Sequence, residues 1–204
     1  MRVQANGDYM AAACRDDVPE LAALARAELP TMTALHGEAG WHTYNRFGNG
    51  QRARGNCTFV LRDGGPDGHL IGFVWADDAM YVDYDIVEPW WCVNALAIAP
   101  PFRGKGRGAA LISEVASVGR KAGVVLLYGQ SVPTAVAFWE GLGFLLADDG
   151  EPLRTSSPAR RRAADPAMLT AQPGLGDRFF VKYLTDIPGS VRSGLLPMSR
   201  LQPS

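Results

Sequence analysis

The chain has 204 residues, 47% of them hydrophobic, and a formal net charge of −1. This length suits one globular domain with a full core, and the near-neutral charge excludes a general nucleic-acid binder, which carries a strong basic excess. The three cysteines are scattered, and no CxxC or Cys/His cluster accompanies them. We therefore expect no metal, no disulfide framework and a reduced, cytoplasmic compartment. We also find no signal-peptide pattern and no apolar run of membrane-spanning length.

Hydrophobic periodicity predicts a mixed α/β chain. The predicted strands, in chain order, are Tyr9–Cys14, Cys57–Arg62, His69–Ala76, Trp90–Ala99, Val124–Tyr128, Phe144–Leu146 and Arg178–Leu184. The predicted helices are Glu20–Leu29, opened near Pro19 by Asp16 or Asp17 as cap, Arg107–Lys121 and Thr134–Gly141. Residues 1–8 are expected to form a loose end, and residues 148–177 a long loop insertion that contains Arg160, Arg161 and Arg162.

The stretch from Leu96 to Ile112 predicts a phosphate-binding element. Pro100 and Pro101 end a buried strand, because proline offers no donor to a β-ladder. Residues 103–108 then supply several glycines immediately before a helix. The unpaired N–H groups at a helix N-terminus and the helix dipole favour a bound anion there.

Three phosphate-binding loops compete for this stretch. A dinucleotide fold needs its glycines directly after the strand and an acidic residue at the end of the next strand, which here ends in Gly129-Gln130. A P-loop needs Ser or Thr after its Gly-Lys, but Gly106 follows Lys105. An acetyltransferase-type R-x-x-G-x-G loop fits completely. A glycine-rich turn without a ligand is the alternative.

Two motifs together resemble the GCN5-related N-acetyltransferases, the GNAT superfamily. The first is Leu96–Pro100 followed by Arg103–Gly108, and the second is Ala135–Phe144, which is similar to the family pattern A-x-x-F-Y-x-x-x-G-F. The resemblance covers roughly residues 63–144. It implies an α/β (α+β) fold in a single domain with a core at 9–184, built on a mixed sheet of about six to seven strands that is flanked by helices and has splayed central strands.

The resemblance also implies the chemistry. Acetyl-CoA, or another acyl-CoA, would be the donor, and a primary amine of a small molecule or peptide would attack the thioester directly. Backbone N–H groups would hold the pyrophosphate with help from the cations, the pantetheine arm would pair with the central strand, and an N–H near Ala97 or Ile98 would polarise the thioester carbonyl. The donor-binding residues implied are Leu96, Ala97, Ile98, Arg103, Gly104, Lys105, Gly106, Arg107, Gly108, Ala109, Phe138 and Trp139.

The sequence departs from the family at the groups that move protons. Where many relatives carry a carboxylate on the central strand, this chain has Cys92 and Asn94. Three carboxylates upstream, Glu88, Asp85 and Asp83, could act as the base through water, and Glu88 is our first candidate. Cys92 also fits a buried core thiol. His36 and His42 are rival candidates for the base.

Trp139 stands where the family commonly has a tyrosine acid, and indole has no proton to give at useful pH. CoA could leave as thiolate, Ser131 or Tyr128 could serve as the acid, or the domain could bind CoA without turnover. We hypothesise that Trp139 packs on the CoA arm.

The acceptor side is less defined. The resemblance places the acceptor wall in the first helices, so His36, His42 and Tyr44 are substrate candidates; a second helix that packs its aromatic residues into the core is the alternative. Asp83 and Asp85 belong to an acidic, aromatic tract that favours a cationic acceptor, against a solvated loop.

Three further questions stay open at this point. A non-catalytic acyl-CoA-binding or sensing module, or an acetyltransferase acting on a protein or aminoacyl-tRNA, is the alternative function. The arginines of the insertion either reach a phosphate or acidic substrate or belong to a solvated loop. Whether the chain forms a homodimer is also open. The tail 185–204 either contacts a neighbouring subunit or frays.

Overall fold

The computed structural model describes residues 2–3, 7–32, 35–45, 57–77, 90–151, 153–154, 170–171 and 173–185. The helices are α1 (Val18–Glu28), α2 (Glu38–Asn45), α3 (Arg107–Lys121) and α4 (Val136–Gly141). The strands are β1 (Arg2–Val3), β2 (Tyr9–Ala12), β3 (Cys57–Arg62), β4 (Leu70–Asp77), β5 (Trp90–Ile98), β6 (Leu126–Ser131), β7 (Leu145–Leu146), β8 (Leu153–Arg154), β9 (Thr170–Ala171) and β10 (Arg178–Tyr183).

The mixed, open sheet with its helices confirms the predicted fold class. Within the described residues its strand order is β1-β2-β3-β4-β5-β6-β10-β7, one strand more than expected because the two-residue β1 pairs with β2. A separate two-stranded ladder, β8 with β9, lies within the stretch predicted as a loop insertion. The arginines at 160–162 and the tail from 186 lie outside the described residues.

The chain forms two compact units, and β5 runs from one into the other. The first unit comprises residues 1–77 and 94–118, and the second comprises residues 78–93 and 119–204. In the first unit, β2, β3 and β4 form an antiparallel meander. In the second unit, the first residues of β5 pair in parallel with β6, and β10 pairs antiparallel with β6 and with β7.

The core of the first unit is built on the apolar face of α1. Val18, Leu21 and Ala25 recur at helical spacing and are completely buried, as an amphipathic helix on a sheet requires. Trp41 of α2 joins them: its ring meets Phe73 edge-on at 5.2 Å and tilts against Trp75 at 6.2 Å. The stretch at 36–47 therefore contains a helix that packs an aromatic residue into the core.

The second unit has its own core. Trp90 and Cys92 of β5 are buried with Leu126 and Tyr128 of β6 and with residues of β10. Gly129 has a structural reason to be glycine, because a Cβ there would lie 2.5 Å from the Phe180 ring and 2.8 Å from the Val93 carbonyl oxygen. The neighbouring residues therefore leave no room for a side chain at this position.

The expected loose end at residues 1–8 is wrong at its last residue. Asp8 is only 1% exposed, and both of its carboxylate oxygens accept hydrogen bonds from Arg107. A buried charge of this kind needs a partner, and the partner lies 99 residues further along the chain. The segment before β2 is therefore anchored to the start of α3.

Candidate functional site

The glycine loop (Arg103–Gly106) links β5 to α3 and has an open backbone. After β5 ends at Ile98, a short 3₁₀ turn at Pro100–Phe102 leads into it. Gly104 and Gly106 both have φ of +75°, a left-handed conformation that favours glycine, and a Cβ at either position would meet no atom within 4 Å. The loop therefore has the backbone shape and the free space that an anion needs for close approach.

The start of α3 supplies the donors. The N–H of Ala110 donates to the Gly106 carbonyl oxygen at 2.9 Å, which is the first α-helical hydrogen bond of this end. The N–H groups before Ala110 belong to the first helical turn and the loop, where an α-helix provides no acceptor. Together with the positive end of the dipole of this 15-residue helix, they lie where the sequence predicts an anion site, and that site stays a prediction.

Arg107, the first residue of α3, is turned away from solvent. Its Nε and Nη2 donate to the two oxygens of Asp8 at 2.6 and 2.9 Å, and its Nη1 donates to the Phe102 carbonyl oxygen at 3.3 Å. The hydrogen bonds to Asp8 raise the pKa of Arg107 further, although burial opposes them. This guanidinium is therefore engaged on three sides, and the residue offers a phosphate its backbone N–H.

Arg103 is also held by the protein. Its Nε donates to the Ile98 carbonyl oxygen at 2.8 Å, and its Nη2 forms an ion pair with Glu28 at the end of α1. Lys105, in contrast, is exposed at the tip of the loop. Among the described residues, no ion pair engages the Lys105 ammonium, so it is the loop cation left to meet a phosphate. Sequence reasoning missed both Asp8 and Glu28, because each partner is distant along the chain.

The central strand β5 has two different environments along its length. Its ladder with β6 comprises four pairs, from Trp90 with Leu126 to Val93 with Gly129, whereas β5 itself continues to Ile98. At that end the N–H of Ala99 donates to Ile71 of β4 at 2.8 Å. Because N–H groups alternate between the two edges of a strand, those of Leu96 and Ile98 are expected on the edge away from β4.

The structure describes only some of the predicted proton-transfer residues on and before β5. Cys92 is 2% exposed and belongs to the core of the second unit, whereas Asn94 is half-buried. Glu88, Asp83 and Asp85 lie outside the described residues. The positions of Cys92 and Asn94 are thus known, and a role for any of these five residues stays a prediction.

Trp139 lies inside an aromatic cluster. Its ring stacks on Phe180 with centroids 3.9 Å apart and a 20° angle, and meets Phe138 and Phe144 edge-on at 5.1 Å each. Only 5% of the residue is exposed. Ser131 at the end of β6 is buried, and its hydroxyl donates to the Val132 carbonyl oxygen at 2.9 Å.

His36 and His42, two of the predicted substrate residues, have different surroundings. The His36 ring Nε2 lies at hydrogen-bonding distance, 3.2 Å, from the Leu29 carbonyl oxygen, and the His36 carbonyl oxygen accepts from Arg26, so His36 closes the end of α1. His42 instead lines an open cavity of about 550 Å³ with Arg15, Asp16, Pro19 and Glu38. Tyr44 belongs to α2, and its side chain lies outside the described part of the structure.

The described residues contain neither a metal-binding cluster nor a membrane-spanning helix. No group of three or more His, Cys, Asp or Glu side chains within those residues could hold a metal ion. No described helix combines the length and the apolar character needed to cross a membrane.

Comparison with known proteins identifies relatives of this fold. Residues 21–144, more than half of the chain, match the model of the acetyltransferase (GNAT) family. Ard1 from Thermoplasma volcanium superposes with a TM-score of 0.57 at 14% identity, over 88% of this chain and 99% of that one.

Two further solved structures are similar. The ribosomal-protein-S18-alanine N-acetyltransferase from Escherichia coli superposes with a TM-score of 0.55 at 15% identity, over 90% of this chain and 98% of that one. N-acetylglutamate synthase from Neisseria gonorrhoeae, complexed with coenzyme A and N-acetyl-glutamate, superposes with a TM-score of 0.58 at 18% identity, over 90% of this chain but 36% of that one. At these identities the similarity to solved structures establishes the fold alone.

Proposed function

Because the chain belongs to the GNAT family of acetyltransferases, we propose that it moves an acetyl group from acetyl-CoA to a primary amine of a small molecule or peptide. One observation carries this proposal: the open glycine loop, with Gly104 and Gly106 at φ of +75°, leads directly into the N-terminus of α3. This is the place where the family resemblance requires a pyrophosphate, and nothing in the backbone obstructs it.

The donor would be held mainly by the backbone. The N–H groups from Gly104 to Ala109 bind the pyrophosphate, and Lys105 adds the mobile positive charge. Arg103 and Arg107 contribute their N–H groups and hold the loop, because their guanidinium groups pair with Glu28 and Asp8. Acetyl-CoA supplies the activated acetyl group as a thioester.

The edge of β5 that faces away from β4 would orient the thioester. Leu96 and Ile98 present their N–H groups there, so the pantetheine arm pairs with this edge as an added strand does. Ala97 and Ile98 are both predicted to supply the N–H that polarises the thioester carbonyl. Because N–H groups alternate between the two edges of β5, the Ala97 N–H is directed toward β4 and the Ile98 N–H is the better placed. An N–H in that role contributes about 3 kcal/mol to lowering the barrier.

Proton transfer follows from the pKa values of the reactants. An alkylamine has a pKa of about 10 and is largely protonated at pH 7, so a base must remove one proton before the nitrogen attacks. Glu88 remains our candidate, through a water molecule. The N–C bond then forms as the C–S bond breaks, and CoA leaves as thiolate, since thiols have a pKa of about 8.5. The acetylated nitrogen releases its second proton to solvent, which leaves the neutral amide. We propose neither Ser131 nor Trp139 as the acid, because the Ser131 hydroxyl already donates to the Val132 carbonyl oxygen and the Trp139 indole has no proton to give.

For the acceptor, we propose a cationic amine or a peptide amino terminus on the side of α1 and α2. The open cavity there carries Asp16, Glu38 and His42. Solved relatives are named for acting on a ribosomal-protein alanine and for forming N-acetyl-glutamate, so the family accepts more than one acceptor class.

The decisive experiment measures acetyl-CoA-dependent CoA release with a thiol reagent across polyamines, aminoglycosides, amino acids and peptides. Cys14 is exposed and would react, so a Cys14→Ser background is used. Cys57 is no obstacle, since burial, together with the Glu114 charge, raises its pKa to about 12. Release well above background with at least one amine supports the proposal. Tight acetyl-CoA binding without release for any amine would favour the sensing module. No binding of acetyl-CoA would refute both functions.

A further inference from the structure

From Gly104 to Gly106 the glycine loop has no packed side chain. Both of its left-handed glycines have empty space where a side chain would be, and Lys105 between them is exposed. A segment without packed side chains keeps one conformation only if its ends are fixed. What fixes the two ends of this loop therefore determines whether its N–H groups converge.

Arg107 fixes one end by reaching back over the loop. Its Nη1 donates to the Phe102 carbonyl oxygen at 3.3 Å, and its guanidinium carbon lies 5.2 Å from the centroid of the Phe102 ring. Phe102 immediately precedes the loop and Arg107 immediately follows it. The side chain thus joins the two residues that border the loop.

Asp8 holds Arg107 in that position. It accepts two hydrogen bonds from the guanidinium in a bidentate arrangement, and the side chains of Arg107 and Asp8 are only 8% and 1% exposed. Bidentate pairing with a carboxylate fixes the plane of a guanidinium, which a single contact does not. The arrangement ties the segment before β2, through Arg107, to both borders of the loop.

We propose that Asp8 is a positioning residue for the coenzyme A site, acting through Arg107 to hold the glycine loop in its phosphate-binding form. This inference rests on the proposed function for the identity of the ligand. It assigns a role in donor binding to a residue 95 positions before the loop, and it makes the Arg107 side chain a support for the site rather than a phosphate ligand.

Direct binding of coenzyme A, measured by calorimetry, tests this role. Asp8→Asn keeps the shape of the side chain and removes its charge, and we expect it to raise the Kd of CoA about tenfold or more. Asp8→Glu retains a carboxylate and should recover part of the loss. At saturating acetyl-CoA, kcat and the KM of the amine should change less than twofold, because the pair supports the donor loop and does not line the cavity proposed for the acceptor.

A matched control separates positioning from general stability. Asp17→Asn breaks another carboxylate–arginine pair of the same unit, in which Asp17 is 8% exposed and lies 2.6 Å from Arg62. We expect this variant to lower the Tm comparably and to leave the Kd of CoA unchanged.

The possible outcomes decide between the explanations. Equal losses of CoA affinity in Asp8→Asn and Asp17→Asn, or an Asp8→Asn variant that binds CoA as the wild type does, would overturn the role of Asp8 while leaving the acetyltransferase proposal intact. A wild-type protein that does not bind CoA would instead remove the proposed function itself.

Discussion

Gly106 is a single position where backbone conformation and ligand binding can be separated. Its φ of +75° costs an L-residue about 1–2 kcal/mol, yet a Cβ would touch nothing. We expect Gly106→Ala to lower the free energy of unfolding by that amount and also to weaken CoA binding, since relief of the strain turns the loop N–H groups. Urea unfolding and calorimetry measure the two effects.

Gly123 provides the control for this variant. It follows α3, has φ of +78° and is equally open, but it lies away from the loop. Gly123→Ala should cost similar stability and leave the Kd of CoA unchanged. If both alanine variants bound CoA as tightly as the wild type, the loop backbone would not be the phosphate site.

Trp139 tests how far a family motif can be transferred to this chain. Its ring is stacked on Phe180 and enclosed by Phe144 and Phe138, so Trp139→Ala should cost about 3–5 kcal/mol of stability. Trp139→Phe should cost much less and keep both kcat and the Kd of CoA. A Trp139→Phe variant of normal stability with weakened CoA binding would instead support packing on the CoA arm. A rate increase in Trp139→Tyr would show that an acid had been missing.

Local sequence patterns predicted the elements well because their signals are local. The strand Cys57–Arg62 and the helix Arg107–Lys121 have the predicted boundaries, since alternation and helical periodicity extend over their whole length. The Asp8–Arg107 pair could not be predicted, because nothing near Asp8 in the sequence indicates a partner 99 residues away. The glycine loop was found from its motif, whereas the tertiary contacts that fix its ends were not.

At the scale of elements, an ionic network joins α1 to the β3–β4 hairpin. Arg62 of β3 donates to Asp17 at 2.6 Å, to Glu20 at 2.8 Å and to the Gly68 carbonyl oxygen at 2.7 Å. Glu20 also accepts from the Leu70 N–H at 2.9 Å. Burial raises the pKa of Glu20, but these hydrogen bonds and the Arg62 charge outweigh it, so the pKa lies below its ordinary value.

This network predicts a defined acid dependence. Because the folded protein lowers the Glu20 pKa, the contribution of the carboxylate is complete above the unfolded pKa of about 4.3 and is lost as the pH falls through the folded value. Glu20→Gln should therefore reduce the free energy of unfolding by about 1 kcal/mol at pH 7, a modest value because the side chain is 43% exposed. The difference from wild type should therefore shrink as the pH falls below about 4.3.

Urea unfolding at pH 7, 5 and 3.5 measures this difference. Glu140→Gln removes a carboxylate from the exposed surface of α4, serves as the control and should leave the free energy of unfolding at pH 7 nearly unchanged. A Glu20→Gln deficit as large at pH 3.5 as at pH 7 would mean that packing, not charge, is what the substitution removes.

At the scale of the molecule, the positive charges beside the expected ligand site are largely neutralised by carboxylates of the protein. The net charge is −1, and two of the three cations between residues 103 and 107 are already paired with Glu28 and Asp8. We therefore expect the proposed affinity for CoA to come from directed N–H groups more than from a broad positive field. That origin makes binding dependent on the folded loop, and it couples ligand concentration to the stability of the chain.

Thermal unfolding with ligand tests this coupling. At a CoA concentration 100 times its Kd, binding to the folded state alone adds about 2.7 kcal/mol. For a chain of this size, that corresponds to a rise in Tm of roughly 5–10 °C. Pantetheine at the same concentration lacks the pyrophosphate and should give little or no shift, and Gly106→Ala should reduce the CoA shift while leaving the pantetheine result unchanged. An equal rise with both ligands would place the affinity in the pantetheine arm along β5 and remove the glycine loop from donor binding.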